Sequence, residues 1–173
     1  MKNTIFKKPK IQKVPIQNIQ CHESAEKAYI ESMTFNYQFK SLDLTNEFLE
    51  HISLFHPLNV VQAKNVYHFF SGWLWLNKLD QKFKTTYVIV HKHKLSTEII
   101  ETLSYEYLLM VFYQNFNRQT TLGQFLNTFE NISNKSVQQT LFGRIPGKTL
   151  RKKISNLSNE SREVINHQLK KLK

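Results

Sequence analysis

Apolar and polar positions change period along this chain. Val14-Pro15-Ile16-Gln17-Asn18-Ile19 alternates, which predicts a short edge strand, where a proline is tolerated. From Ser24 to about Phe55 the apolar residues recur at helical spacing, with Leu44, Phe48, Leu49 and Ile52 the clearest set, and Pro57 stops any helix. Leu58 to Ala63 and Val66 to Phe70 are both β-rich and are separated by Lys64-Asn65, the pattern of a hairpin. Trp73 to Leu79 reads as a short helix that turns Leu74, Leu76 or its two tryptophans inward, and Tyr87-Val88-Ile89-Val90 as a strand.

Beyond Ser96, an N-cap with Glu98 close behind, helical spacing dominates. Leu103, Tyr107, Leu108 and Met110 are expected to supply one buried face of a helix ending near Gln114. Another helix starts around Thr120 to Phe125, and two or three short ones follow in residues 134–173, broken at Gly143 and at Pro146-Gly147. Strands with interleaved helices, then helices alone, predict an α+β domain followed by a helical module. The expected organisation is a basic arm over 1–13, an α+β domain over 14–117 and a helical DNA-binding module over 118–173.

Composition narrows the chemistry. Of the 173 residues 40% are hydrophobic and 13% aromatic, enough for a packed core. The single cysteine, Cys21, permits no internal disulfide and fits a reducing compartment. The amino terminus lacks the apolar stretch of a signal peptide and no later run is long enough to span a bilayer, so a cytoplasmic, nucleoid-associated protein is expected, with no membrane partner.

The net charge of +11 is unevenly placed. Residues 1–13 hold five Lys and no acid, and residues 141–173 hold nine Lys or Arg against Glu160 and Glu163. Between them, ten basic side chains face eleven acidic ones. Basic ends on a neutral body suit a polyanion, because clustered cations release counterions from phosphate on binding. The same ends can also serve only solubility, as solvated faces.

Four segments in order resemble the ParB family, in which a ParB/sulfiredoxin-like domain precedes a helix-turn-helix. Val14 to Ile19 looks like the family's first strand, and Pro57-Leu58-Asn59-Val60-Val61 looks like its "QPIVV" strand. Tyr67-His68-Phe69-Phe70-Ser71-Gly72 stands where the family has "Y-x-L-I-A-G", and Gln114-Asn115-Phe116-Asn117-Arg118 through Leu122 resembles "E-N-x-Q-R-x-x-L". The resemblance implies a nucleotide site at Gly72, Asn115 and Arg118, but a degenerate one. The family's "G-E-R-R" cations after the glycine are replaced by Trp73, Leu74 and Trp75, and its glutamate by Gln114. A triphosphate needs fixed cations or a cluster of backbone donors. No cofactor and no nucleotide hydrolysis are therefore expected. The sulfiredoxin reaction needs a thiolate after that glycine, and the only thiol is Cys21. Gly72 is expected to hold a turn, with the tryptophans filling the space a ligand would take.

Other constellations point less to chemistry. His91 and His93 have a metal-ligand spacing, but no further ligand can be placed beside them, so no metal site is expected. Glu47 with Glu50, and Glu98 with Glu101, lack the companions of a metal-dependent nuclease. Tyr67, Phe69, Phe70, Trp73 and Trp75 could stack single-stranded bases, yet their setting is short of cations and favours a core.

The best candidate is carboxy-terminal. Ser136 to Gly143 and Gly147 to Leu157 can form the two helices of a helix-turn-helix, with Leu150, Ile154 and Leu157 inward and Lys148, Thr149, Arg151, Lys152 and Asn156 outward, joined by Lys153. Lys7, Lys8 and Lys10 of the arm would add phosphate contacts. The expected function is a non-catalytic DNA-binding accessory protein on duplex rather than single-stranded DNA, with a protein partner or a second copy on its body. The alternatives are a protein adaptor without DNA contact and, more remotely, a nucleotide-dependent clamp or nuclease.

Overall fold

Four residues after the first strand ends, the chain begins a second strand at the opposite edge of the same sheet. The computed structural model describes residues 10–34, 46–78, 84–91, 94–115, 118–158 and 160–171. They include strands β1 (Lys10–Pro15), β2 (Ile19–Cys21), β3 (Leu58–Ala63), β4 (Val66–Ser71) and β5 (Thr85–His91). The α-helices are α1 (Glu23–Thr34), α2 (Asn46–Phe55), α3 (Thr97–Asn115), α4 (Arg118–Glu130), α5 (Lys135–Phe142), α6 (Leu150–Ser158) and α7 (Arg162–Lys171). The fold class is α+β, with a mixed sheet and helices.

The chain divides into two compact units, Met1–Tyr29 with Ser41–Tyr107, and Ile30–Lys40 with Leu108–Lys173. The division runs through α3, while the boundary read from the sequence lies at the junction of α3 and α4. Part of the expected basic arm is strand, since Lys10 to Lys13 belong to β1.

In the first unit the strand order is β1-β5-β3-β4-β2. β1 pairs antiparallel with β5 and β3 antiparallel with β4, while β3–β5 and β2–β4 are parallel. The alternating stretch Val14 to Ile19 is therefore not one strand. Pro15 closes β1 with φ −64, a 3-10 turn takes Ile16–Asn18, and Ile19 opens β2. Proline cannot donate to a ladder, so pairing stops there. A span from Pro15 to Ile19 reaches at most about 15 Å, whereas five flat strands would set their outer members about 19 Å apart. The sheet must curl. The Gln12 side-chain amide accordingly donates to the Tyr67 hydroxyl at 3.0 Å, reaching from β1 to β4.

The β3–β4 hairpin turns at Lys64, whose φ is +55, and Ala63 pairs with Val66 across it. In β5 the buried Thr86, Val88 and Val90 alternate with half-buried neighbours, the period of a strand with one core face. The edge strand β1 carries Lys10, Lys13 and Pro15, which discourages pairing with another chain. Lys13 pairs with Glu50 of α2 and lies 5.6 Å from the centre of the Tyr87 ring. The Ser96 hydroxyl accepts from the Ile99 N–H at 3.3 Å, so the expected cap of α3 is present. Leu108 is buried in α3, but Met110 is 45% exposed and Tyr105 and Val111 take the inward positions instead.

The second unit is helical where described. Leu122, Phe125, Leu126 and Phe129 recur at helical spacing on α4 and are all buried. Phe129 meets Phe142 of α5 edge-on at 5.1 Å, and Ile154 of α6 and Ile165 of α7 complete the core. The breaks at Gly143 and Pro146-Gly147 fall between α5 and α6 as the sequence predicts. α4 and α7 approach at Gly123, whose N–H donates to the buried Gln168 Oε1 at 2.8 Å. A methyl group at Gly123 would meet the Gln168 backbone at 2.8 Å. Gly123→Ala should therefore push α7 off α4 and cost about 1–3 kcal/mol. Urea unfolding of the full chain, followed by far-ultraviolet circular dichroism, measures it.

Candidate nucleic-acid interface

The turn at Gly72 is built for packing. Its φ is +86, and a Cβ there would come within 2.6 Å of the Pro57 carbonyl oxygen, so only glycine fits both the backbone and the space. Behind it runs a 3-10 helix, Trp73–Lys78. Trp73 and Trp75 are buried, at 1% and 6% exposure. The Trp73 ring lies 4.7 Å from Tyr107, 5.8 Å from Tyr29 and 6.2 Å from Phe69, centre to centre. Trp75 donates its indole N–H to the His56 carbonyl at 2.6 Å.

The Leu74 N–H, which an anion at this turn could have used, donates to the Tyr107 hydroxyl at 3.0 Å. Aromatic rings fill the recess and a tyrosine takes the donor. With Phe69 and Phe70 also buried, these aromatics form core rather than a stacking platform. The other two residues of the expected nucleotide site lie in the second unit: Asn115 ends α3 and Arg118 opens α4. Their side chains are outside the described residues.

His91, His22, His68 and Cys21 have structural partners. His91 faces Asn59 Oδ1 at 2.9 Å across β5 and β3, and its ring lies 5.3 Å from Phe70. His93 is outside the described residues. His22 accepts from the Ser24 N–H at 3.2 Å as α1 begins, and meets His68 edge-on at 6.2 Å. Burial pushes the Cys21 thiol up to about 12, aided by the Glu26 charge, so it stays protonated and unreactive. Among the described residues no group of three or more His, Cys, Asp or Glu could hold a metal ion.

The carboxy-terminal basic segment sorts into two kinds of cation. Asn134 caps α5, its Oδ1 accepting from the Ser136 N–H at 3.0 Å. Residues 143–149 then join α5 to α6, a seven-residue connection, longer than the three or four residues of a helix-turn-helix. Thr149 caps α6, its hydroxyl accepting from the Lys152 N–H at 3.2 Å. α6 packs on α4 and α7. Ile154 is buried and Leu150 and Leu157 half-buried, as the spacing predicts.

Arg151, one of the expected outward set, keeps a side chain that is 40% exposed but also has partners within the unit. It donates to Asn166 Oδ1 at 3.0 Å, lies 4.0 Å from Glu130, and has its Nε buried. Lys153 donates to the Phe142 carbonyl at the end of α5, and Asn156 donates to the Pro146 carbonyl at 2.6 Å. These three side chains hold the unit together. Lys148 is exposed and Lys152 half-exposed, and with them stands the exposed Arg144 of the connection. Among the described residues none of these three makes an ion pair. Arg144 escapes a helix-based sequence reading because it precedes α6 by six residues in an irregular stretch. Of the arm, Lys10 is exposed on β1 in the first unit, and Lys7 and Lys8 lie outside the described residues.

Arg144 and Lys152 border an open cleft of about 730 Å³. Ile145, Pro146 and Leu157 give it an apolar wall, and Glu160 adds a carboxylate. Among the described residues no helix is long and apolar enough to cross a membrane. No protein-family model and no curated protein matches this chain.

The closed turn and the half-buried His91 imidazole each lead to a measurable outcome. Tyr107→Phe leaves the Leu74 N–H without a partner and should cost about 1–3 kcal/mol in chemical denaturation. Burial lowers the pKa of His91, so the folded state favours the neutral ring. Its contribution is present above the unfolded histidine pKa, about 6.5, and is lost as pH falls through and below that value. Thermal melts from pH 7.5 down to 5 should show a fall in Tm that His91→Gln reduces, although His22, also lowered by burial, contributes a share.

Proposed function

We propose that this chain is a non-catalytic, ParB-like DNA-binding accessory protein serving plasmid maintenance, a mobile element or transcriptional control. The observation that carries the reading is electrostatic. The second unit holds twelve Lys or Arg against four Glu, a surplus of eight, while the first holds twelve against nine. Within that unit, at the connection into α6 and on its first turn, Arg144, Lys148 and Lys152 make no ion pair among the described residues. Unpaired cations on a folded helical surface are what phosphate contact requires. The filled recess at Gly72 argues against the nucleotide-dependent clamp.

A second reading, a protein adaptor, is favoured by α2, where Phe48, Leu54 and Phe55 are exposed at 49%, 42% and 77%. Duplex DNA binding measured by fluorescence anisotropy over a salt series separates the two. On the DNA reading the affinity falls steeply with salt, and Arg144→Ala, Lys148→Ala and Lys152→Ala each flatten the log–log slope by about 0.9. Arg151→Ala should instead lower stability, because its guanidinium is tied to Asn166. A salt-independent affinity, or slopes unchanged in all three variants, supports the adaptor.

A further inference from the structure

We infer that the cleft beside α6 receives a single nucleotide, with its phosphate on Arg144 and Lys152, its sugar and base against Ile145, Pro146 and Leu157, and a base N–H on Glu160. This deepens the DNA-binding reading and rests on it. The volume of about 730 Å³ lies within the ordinary range for small-molecule sites, about 300–1,000 Å³. A surface made only to track a duplex backbone needs cations and no recess. This one combines three chemistries in one hollow: two cations, an apolar wall and one carboxylate.

The carboxylate decides between ligand classes. Inorganic phosphate or a bare phosphodiester would leave the apolar wall uncovered and would offer Glu160 no N–H donor. A nucleotide satisfies all three, because a base offers N–H donors that a carboxylate accepts and a flat face that an apolar wall covers. Among the described residues Glu160, like Arg144 and Lys152, makes no ion pair, so its charge is available. The Ser155 hydroxyl donates to the Glu160 carbonyl at 2.7 Å, and Asn156 holds Pro146 from the other side, so the backbone flanking the cleft is fixed by hydrogen bonds. The nucleotide could be free or could be the end of a DNA strand, and both present the same groups.

The test is an amide-shift NMR titration of the isotopically labelled full chain with 5′-deoxycytidylate, deoxycytidine, and single strands with and without a 5′-phosphate. The expected result is saturable binding of the nucleotide that shifts residues 144–161, with the nucleoside weaker by about 100-fold, tenfold for each cation. Ile145→Trp fills the cleft without removing charge and should abolish nucleotide binding while leaving salt-dependent duplex binding intact. Lys152→Glu, at a half-exposed position that folding tolerates, should weaken the nucleotide at least tenfold. A strand end that outcompetes the free nucleotide assigns the source to DNA, and equal affinity assigns it to free nucleotide. Duplex binding without saturable nucleotide binding overturns the cleft alone. Nucleotide binding undiminished in both Ile145→Trp and Lys152→Glu overturns it as well. A chain that binds the nucleotide but no duplex retains the cleft and loses the parent reading.

Discussion

A short covalent tether governs the first unit. The step from Pro15 to Ile19 joins strands on opposite edges of a five-stranded sheet, and no flat sheet allows it. The sheet curls, and the Gln12–Tyr67 hydrogen bond spans the bend. In the same unit Phe69, Trp73, Tyr29 and Tyr107 pack together behind the Gly72 turn. Dispersion and area burial from so many rings stabilise this arrangement strongly. The same cluster takes up the Leu74 N–H beside the turn, which donates to the Tyr107 hydroxyl.

Charge follows a different logic in the second unit. A cation near a helix can complete the fold or face a ligand, and the neighbours decide which. Arg151 and Lys153 reach acceptors on Asn166 and on the Phe142 carbonyl. Arg144, Lys148 and Lys152 stand where the chain is irregular or has just begun α6, and among the described residues none of them makes an ion pair. The unit thus uses part of its positive charge to hold helices together and leaves part of it open.

Much of the fold was legible because local chemistry and tertiary structure agree. Pro57, Lys64-Asn65, Ser96, Gly143 and Pro146-Gly147 each punctuate the chain where their backbone preferences dictate. The misreadings have physical causes. Val14 to Ile19 alternates like one strand, but periodicity carries no record that proline ends a ladder partway. α3 is apolar nearly all round, from Ile99 to Val111, so spacing could not choose Tyr105 and Val111 over Met110 for the interior. In the candidate site Arg151 makes its contacts with Asn166, fifteen residues later, and Glu130, twenty-one earlier, partners that no local pattern indicates. Arg144 and the cleft arise from an irregular connection, where sequence period has no meaning.

On the proposed DNA-binding reading, phosphate is met by the open cations of the second unit and not by the aromatic turn of the first. Paramagnetic relaxation enhancement, with a spin label on one phosphate of a DNA duplex and amide signals read across the full chain, measures that directly. The predicted result is strong broadening of residues 144–161 that fades as salt is raised, with Gly72 to Lys78 unaffected. Broadening centred on Gly72 to Lys78, or spread evenly over both units, would contradict it.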